Sequence, residues 1–333
     1  MCVAGWLPDD WIIAVRELLP MMLGETMPVA NAWPQLRGVS PLRLGRCCLG
    51  IGGVSLGLTA DLDVEIHTGP ELRAFQTEGQ ECDIEMDIRW AEQLRASEEH
   101  PLFDSGALWK LYRSDQGFTF DFATPILGDR PYKRLCVDRS FSQAQLFLNR
   151  EYSSELQGCC TLEYPLDELL VTNWLALGRG VEVHGCGLVD EKAGGHLFLG
   201  HSGAGKSTTA RLWRSLRVAQ VLSDDRIILR REAGEVWMHG TPWHGEAGFA
   251  SPDKATISRI FVIEHGESNE IRQLSKSRAV AELFARCFVP FHGSGPLSTT
   301  VSYLHEIADS IPCYLFRFRP EADAIETVFN FHG

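Results

Sequence analysis

Residues 200–207 read Gly200-His201-Ser202-Gly203-Ala204-Gly205-Lys206-Ser207, a match to the G-x-x-x-x-G-K-[ST] phosphate-binding loop. The apolar run Leu197 to Leu199 precedes it, and a helical pattern begins at Lys206. The chemistry requires that order. Backbone N–H groups of such a loop wrap a phosphate, and the N-terminus of the following helix adds partial positive charge. Glycines at 200, 203 and 205 allow close backbone approach and positive φ at the turn. Lys206 can reach the β- and γ-phosphates of a nucleotide, and the Ser207 hydroxyl can hold Mg²⁺.

Outward from the loop, Val218 to Ser223 reads as a strand ending in Asp224-Asp225. Ligands gather beyond the carboxyl ends of strands, so the position suits catalytic carboxylates. One can serve a metal, and the other can take a proton from an incoming hydroxyl. By itself an Asp-Asp pair is more often a solvated turn. Upstream, Val181 to Val189 and His196 to Leu199 form an expected β-hairpin around a turn at Lys192 to Gly195. His184-Gly185 lies on its first strand. A lone histidine in an apolar strand is ordinarily a core residue.

The rest of the chain divides by texture. Trp11, Ile12, Val15, Leu18 and Leu19 predict a short helix over Pro8 to Leu19. From about Leu42 to Arg150, short alternating runs such as Val54 to Leu58, Val64 to His67 and Cys82 to Ile88 predict a mainly antiparallel β module. Similar runs lie at Phe118 to Phe122, Arg134 to Val137 and Gln145 to Leu148. A helix is expected over Pro165 to Leu177, with Gly178 as its stop. Beyond the phosphate loop the pattern is a helix over Lys206 to Arg217 and strands at Ile227 to Arg231, Val236 to His239 and Arg259 to Glu264. Helices at Ser275 to Phe288 and Thr299 to Asp309, a strand at Ile311 to Phe318 and a short amphipathic helix follow. The boundary is expected near residue 155, giving a mainly β domain over 1–155 and a mixed domain over 156–333.

With 333 residues the chain has room for two cores. A net charge of −13 argues against a nucleic-acid backbone or an anionic membrane as partner. None of the 10 cysteines forms a C-x-x-C unit, which gives zinc little support and suits a reducing cytosol. The N-terminus carries Asp9, Asp10 and Glu17 among its apolar residues, unlike a secretion signal. A cytoplasmic protein is expected.

His184-Gly185, the Gly200–Ser207 loop and Asp224-Asp225, in that order and at that spacing, resemble the HPr kinase/phosphorylase family. The resemblance covers about residues 164–265. It implies an α+β fold: the compact P-loop core of mixed sheet and helices shared with phosphoenolpyruvate carboxykinases, here behind a mainly β N-terminal domain. It implies ATP and Mg²⁺ as cofactors and transfer of the γ-phosphate to a serine hydroxyl. By position, Asp225 looks like the general base and Asp224 a metal-site carboxylate with Ser207. His184 looks like a phosphate- or carboxylate-contacting residue. Gly200, Ser202, Gly203, Ala204, Gly205, Lys206, Ser207 and Thr208 look like the nucleotide loop. Related kinases occur in peptide-modifying systems, including kinases of lasso-peptide precursors. Two features depart from the family. Thr208 stands where Glu is common, and the downstream Arg-Gly-Leu-Gly segment is replaced by Gly240-Thr241-Pro242-Trp243-His244-Gly245-Glu246.

The run Trp243 to Glu246 is rich in donors and acceptors, which makes His244 and Glu246 candidates for a lid or substrate contact. Arg226, Lys254 and Arg259 are candidate charge donors to a phosphoryl group. The expectation is therefore a kinase acting on a hydroxyl-bearing peptide, protein or small molecule. A nucleotide-binding regulatory or assembly protein with slow or no hydrolysis is the alternative, and a carboxykinase has less support. Homo-oligomerisation is left open.

Overall fold

The computed structural model describes residues 46–331 apart from 62, 80, 157–160, 191–193, 217–218 and 291–293. The helix expected at Pro8 to Leu19 lies outside the described residues. The chain forms two compact units, for the most part Val54–Trp174 and Leu175–Gly333. From the sequence the changeover is expected about 20 residues earlier, near 155.

The first unit is a nine-stranded sheet. Its strands are β1 (Arg46–Ile51), β2 (Val54–Ala60), β3 (Gln76–Thr77), β4 (Ile84–Ala91), β5 (Phe103–Asp104), β6 (Trp109–Arg113), β7 (Gly117–Thr124), β8 (Gly128–Asp138) and β9 (Gln143–Asn149). They run in the order β3-β1-β2-β4-β9-β8-β7-β6-β5. The ladder from β5 to β9 is antiparallel. β4 instead lies parallel to both β2 and β9, so the sheet is mixed. Val64 to His67, expected as a strand, holds a single bridge residue, Ile66. Its backbone groups at Glu65 and His67 are met by the Thr161 hydroxyl, at 3.2 and 3.0 Å.

The changeover between units falls in α1 (Leu166–Leu175). This helix is stopped by Gly178, at φ 88°, where a side chain would be strained. Next come β10 (Val181–Asp190), β11 (Gly194–Leu199), α2 (Lys206–Leu216), β12 (Ala219–Ser223), β13 (Arg226–Glu232) and β14 (Glu235–His239). The chain continues as β15 (Lys254–Thr256), β16 (Arg259–His265), β17 (Glu270–Gln273), α3 (Lys276–Phe284), β18 (Cys287–Phe288), α4 (Ser294–Ser310), β19 (Cys313–Phe318) and α5 (Ala322–Asn330). The sheet order is β15-β14-β13-β10-β11-β16-β19-β17, with β12 and β18 also on β10. The helix expected to reach Phe288 ends at Phe284, because Cys287-Phe288 pair with β10.

β11, β16 and β19 are parallel, and their central stretches Leu197–Leu199, Ile260–Ile263 and Cys313–Phe316 are apolar, as in strands covered on both faces. Alternation along β11 assigns the faces. Leu197 and Leu199 join a core with Ala279, Val280 and Leu283 of α3 and Leu304 and Ile307 of α4. Phe198 joins a core with Trp213 of α2, Phe261, Phe316 and Ile325 of α5. Among the described residues, no helix is long and apolar enough to cross a membrane.

Candidate functional site

The site lies where β10 changes partners. Val181 to His184 pair with β13, whereas Gly187 to Asp190 pair with β12 and Gly185 to Asp190 with β11. β12 ends at Ser223 and β13 begins at Arg226, so Asp224-Asp225 is the link between two ladders on one strand. The Ser223 hydroxyl accepts N–H bonds from Asp225 and Arg226, both at 3.2 Å. The Gly185 N–H donates to the Asp225 carbonyl at 2.9 Å. His184 pairs in register with Arg226. Residues distant in sequence are therefore brought to one point by a strand that serves two ladders.

The two side chains of this link have separate sets of partners. Asp225 faces His184 Nε2, 2.9 Å from Oδ1, and the Arg226 guanidinium at Oδ2. Burial by itself would raise its pKa. The His184 hydrogen bond and the Arg226 charge, with Lys206 contributing, outweigh that and hold the carboxyl well below the usual range. Arg226 is itself fixed, 4.2 Å over the Phe288 ring and 3.5 Å from Glu182.

Asp224 is wholly buried. Its Oδ2 accepts the Ser207 hydroxyl at 2.8 Å and the Ala247 N–H at 3.0 Å. Its Oδ1 accepts the N–H groups of Gly245 and Phe249, at 3.1 and 3.2 Å. Ser207 is the last residue of the loop and the second of α2.

The loop bends through Gly203 at φ 76° and Gly205 at φ 101°. A Cβ on Gly205 would lie 2.9 Å from the Phe318 ring, so glycine is required there on two counts. The buried Lys206 ammonium donates to the carbonyls of Gly200 and His201, at 3.0 and 3.1 Å. His201, Ser202 and Gly203 are exposed, while Ala204, Ser207 and Thr208 are half-buried.

Of the expected site residues, His184, Lys206, Ser207, Asp224 and Asp225 are thus gathered together, and Arg226 joins them. Lys254 does not: it opens β15, three strands from β10, and is ion-paired with Glu232 of β13. Arg259 opens β16, at the end of the parallel strands opposite the loop. The His244 and Glu246 side chains are exposed, and it is the main chain beside them that reaches Asp224. One contact was not anticipated. His265, at the carboxyl end of β16, bonds the Gly203 carbonyl at 2.8 Å and stacks on Phe318. Its position just past an apolar strand parallel to β11 is the signal that could have found it.

The donor set suits a magnesium-bound polyphosphate. It offers an ammonium, a helix N-terminus and a serine oxygen whose hydrogen is already directed to Asp224, leaving lone pairs for a cation. Among the described residues, no group of three or more His, Cys, Asp and Glu side chains is placed to hold a metal ion. An ion here would therefore complete its shell with phosphate and water oxygens, as Mg²⁺ commonly does.

No protein-family model and no curated relative matches the chain. Among solved structures, the Hpr(Ser) kinase/phosphatase from Coxiella burnetii is similar over 44% of this chain and 92% of its own, at 17% identity and a TM-score of 0.26. A likeness at that level says nothing of chemistry.

Proposed function

We propose that the C-terminal unit is an ATP- and Mg²⁺-dependent kinase that phosphorylates a hydroxyl group on a peptide, protein or small molecule. What supports this is one juxtaposition. The Ser207–Asp224 hydrogen bond ties the phosphate loop to the carboxylate pair, and Lys206 of that loop acts with His184 and Arg226 to favour the ionised form of Asp225.

Gly200 to Thr208 bind the β- and γ-phosphates, with Lys206 as the fixed positive charge. Bound Mg²⁺ would neutralise phosphate charge, held on the protein side by Ser207 backed by Asp224. Asp225 accepts the proton of the acceptor hydroxyl as its oxygen bonds to the γ-phosphorus and the bond to the β,γ-bridging oxygen breaks. His184 and Arg226 hold that carboxylate in place. A carboxylate of low basicity suffices, because the transition state is loose and the proton leaves late. The N-terminal sheet is assigned a part in acceptor binding or assembly.

A screen of hydroxyl acceptors with labelled ATP tests the reading. Acceptor-dependent ADP formation is expected, and Asp225→Asn should lower it by about 10²–10⁴-fold while nucleotide still binds. Near-normal rates in that variant would overturn the assignment. Tight nucleotide binding without acceptor-dependent turnover would instead mark a nucleotide-binding regulator.

A further inference from the structure

We infer that Asp224 is a positioning residue that latches the segment Gly245–Phe249 onto the phosphate loop through Ser207, and that it does not itself ligate the metal. The metal clause rests on the proposed function above; the latch does not.

An ionised carboxylate offers about four lone-pair directions. All four are taken here, two on Oδ1 by Gly245 and Phe249 and two on Oδ2 by Ala247 and Ser207. Inner-sphere ligation by Asp224 would give up at least one charge-assisted bond and strand its donor against a buried carboxylate. Ser207 faces no such conflict. Its hydrogen goes to Asp224, so its lone pairs point elsewhere. Asp224 then orients the metal's ligand rather than acting as one.

The segment is shaped for this contact. A bond from the Gly248 N–H to the Gly245 carbonyl, at 3.1 Å, closes a turn that leaves the N–H groups of 245, 247 and 249 for one carboxylate. A Cβ on Gly245 would lie 2.8 Å from Asp224 Oδ2 and 3.3 Å from Asp225 Cβ. The strap therefore runs against both aspartates, and only glycine lets it approach so closely. Arg211 of α2 adds a bond to the Glu246 carbonyl at 3.2 Å, and Ser223 makes a bridge to Ala250. The latch thus holds the main chain between the exposed His244 and Glu246 against Asp225, the proposed base.

Amide hydrogen exchange over 245–249, on the full chain without nucleotide, tests the latch directly. Asp224→Asn and, separately, Gly245→Ala should each raise exchange at residues 245, 247 and 249 by about tenfold or more. Circular dichroism should show the fold retained; Gly245→Ala, outside the sheets, serves if the buried Asp224 variant fails to fold. Unchanged exchange in Gly245→Ala overturns the latch. The metal clause is tested by Mg²⁺-dependent binding of a non-hydrolysable ATP analogue. Ser207→Ala should lose most of the Mg²⁺ dependence and Asp224→Asn much less. An equal loss in both returns Asp224 to the metal's inner sphere. If the analogue binds neither wild type nor variants, the kinase reading falls, while the exchange result still decides the latch.

Discussion

Asp224 and Asp225 are neighbours in sequence and opposites in surroundings. Asp224 is sealed and meets four neutral donors. Asp225 is a quarter exposed through its side chain and meets a histidine and an arginine. The first arrangement has no lone pair left for chemistry. The second favours the ionised form and leaves lone pairs open, as a base needs. A two-residue link between ladders thus yields one carboxylate for holding and one for reacting. The change that bears hardest on this contrast is Asp225→Asn. It keeps shape and removes the base, and the expected loss of turnover is about 10²–10⁴-fold, read in steady-state kinetics. If the mirrored change, Asp224→Asn, lowered turnover as much with the strap still protected, the division of roles would fail.

The two histidines of the hairpin repeat the contrast. His184 has an acid partner at the rim. His196, on β11, is wholly buried among Phe198, Trp213 and Phe261, and neither ring nitrogen finds a hydrogen-bond partner among the described residues. Burial, with Arg259 nearby, pushes its pKa down to about 4. Because this folded-state value lies below the unfolded one near 6.5, the unfolded chain takes up its proton first. Stability is therefore lost as pH falls from about 6.5 to about 4 and the loss levels off below that. His196→Leu should abolish this component, worth at most about 3 kcal/mol. Denaturant midpoints at the two ends of that range measure it. A parallel decline in wild type and variant would remove His196 from the acid response.

A smaller shift is expected from Arg226→Gln. The Arg226 charge lowers the Asp225 pKa, so its removal must raise it. The acid limb of the kcat/KM profile should then move to higher pH, while turnover on the alkaline side of that limb changes less. Arg226→Lys should restore part of the original profile, which lost packing alone would not do. An unmoved acid limb would show that His184 and Lys206 hold the carboxylate without Arg226.

The loop at 200–207, the carboxylate pair and most of the C-terminal strands were legible because each is a local signal: glycine spacing, apolar runs, a charged stop. The hairpin turn Ala233-Gly234, at φ 50° and 89°, is of the same kind. What could not be read depends on pairing at a distance. His184 and His196 sit in similar apolar strands, and only the register of β10 and β13 gives one of them an acid. Cys287-Phe288 continue a helical pattern and become strand because β10 has an open edge there. β4 lies between two parallel partners, though its alternation suits an antiparallel neighbour as well. The strap was singled out for the side chains of His244 and Glu246, whereas its bonds to Asp224 come from backbone N–H groups, which no residue type announces.

That last difference separates the strap's side chains from its backbone and sets the smallest effect. His244 and Glu246 are exposed; the His244 ring bonds the Gly245 carbonyl, and Arg211 bonds the Glu246 carbonyl. Truncating either side chain should leave stability within about 0.5 kcal/mol, as at other surface positions. Strap exchange should stay at the wild-type level, since the three donors to Asp224 are untouched. Gly245→Ala, one residue from each, adds a single carbon at 2.8 Å from that carboxylate and should release the segment. The strap is thus expected to tolerate loss of its side chains and not the gain of one methyl group. Equal exchange in His244→Ala and Gly245→Ala would mean that side chains, and not the carboxylate latch, hold it.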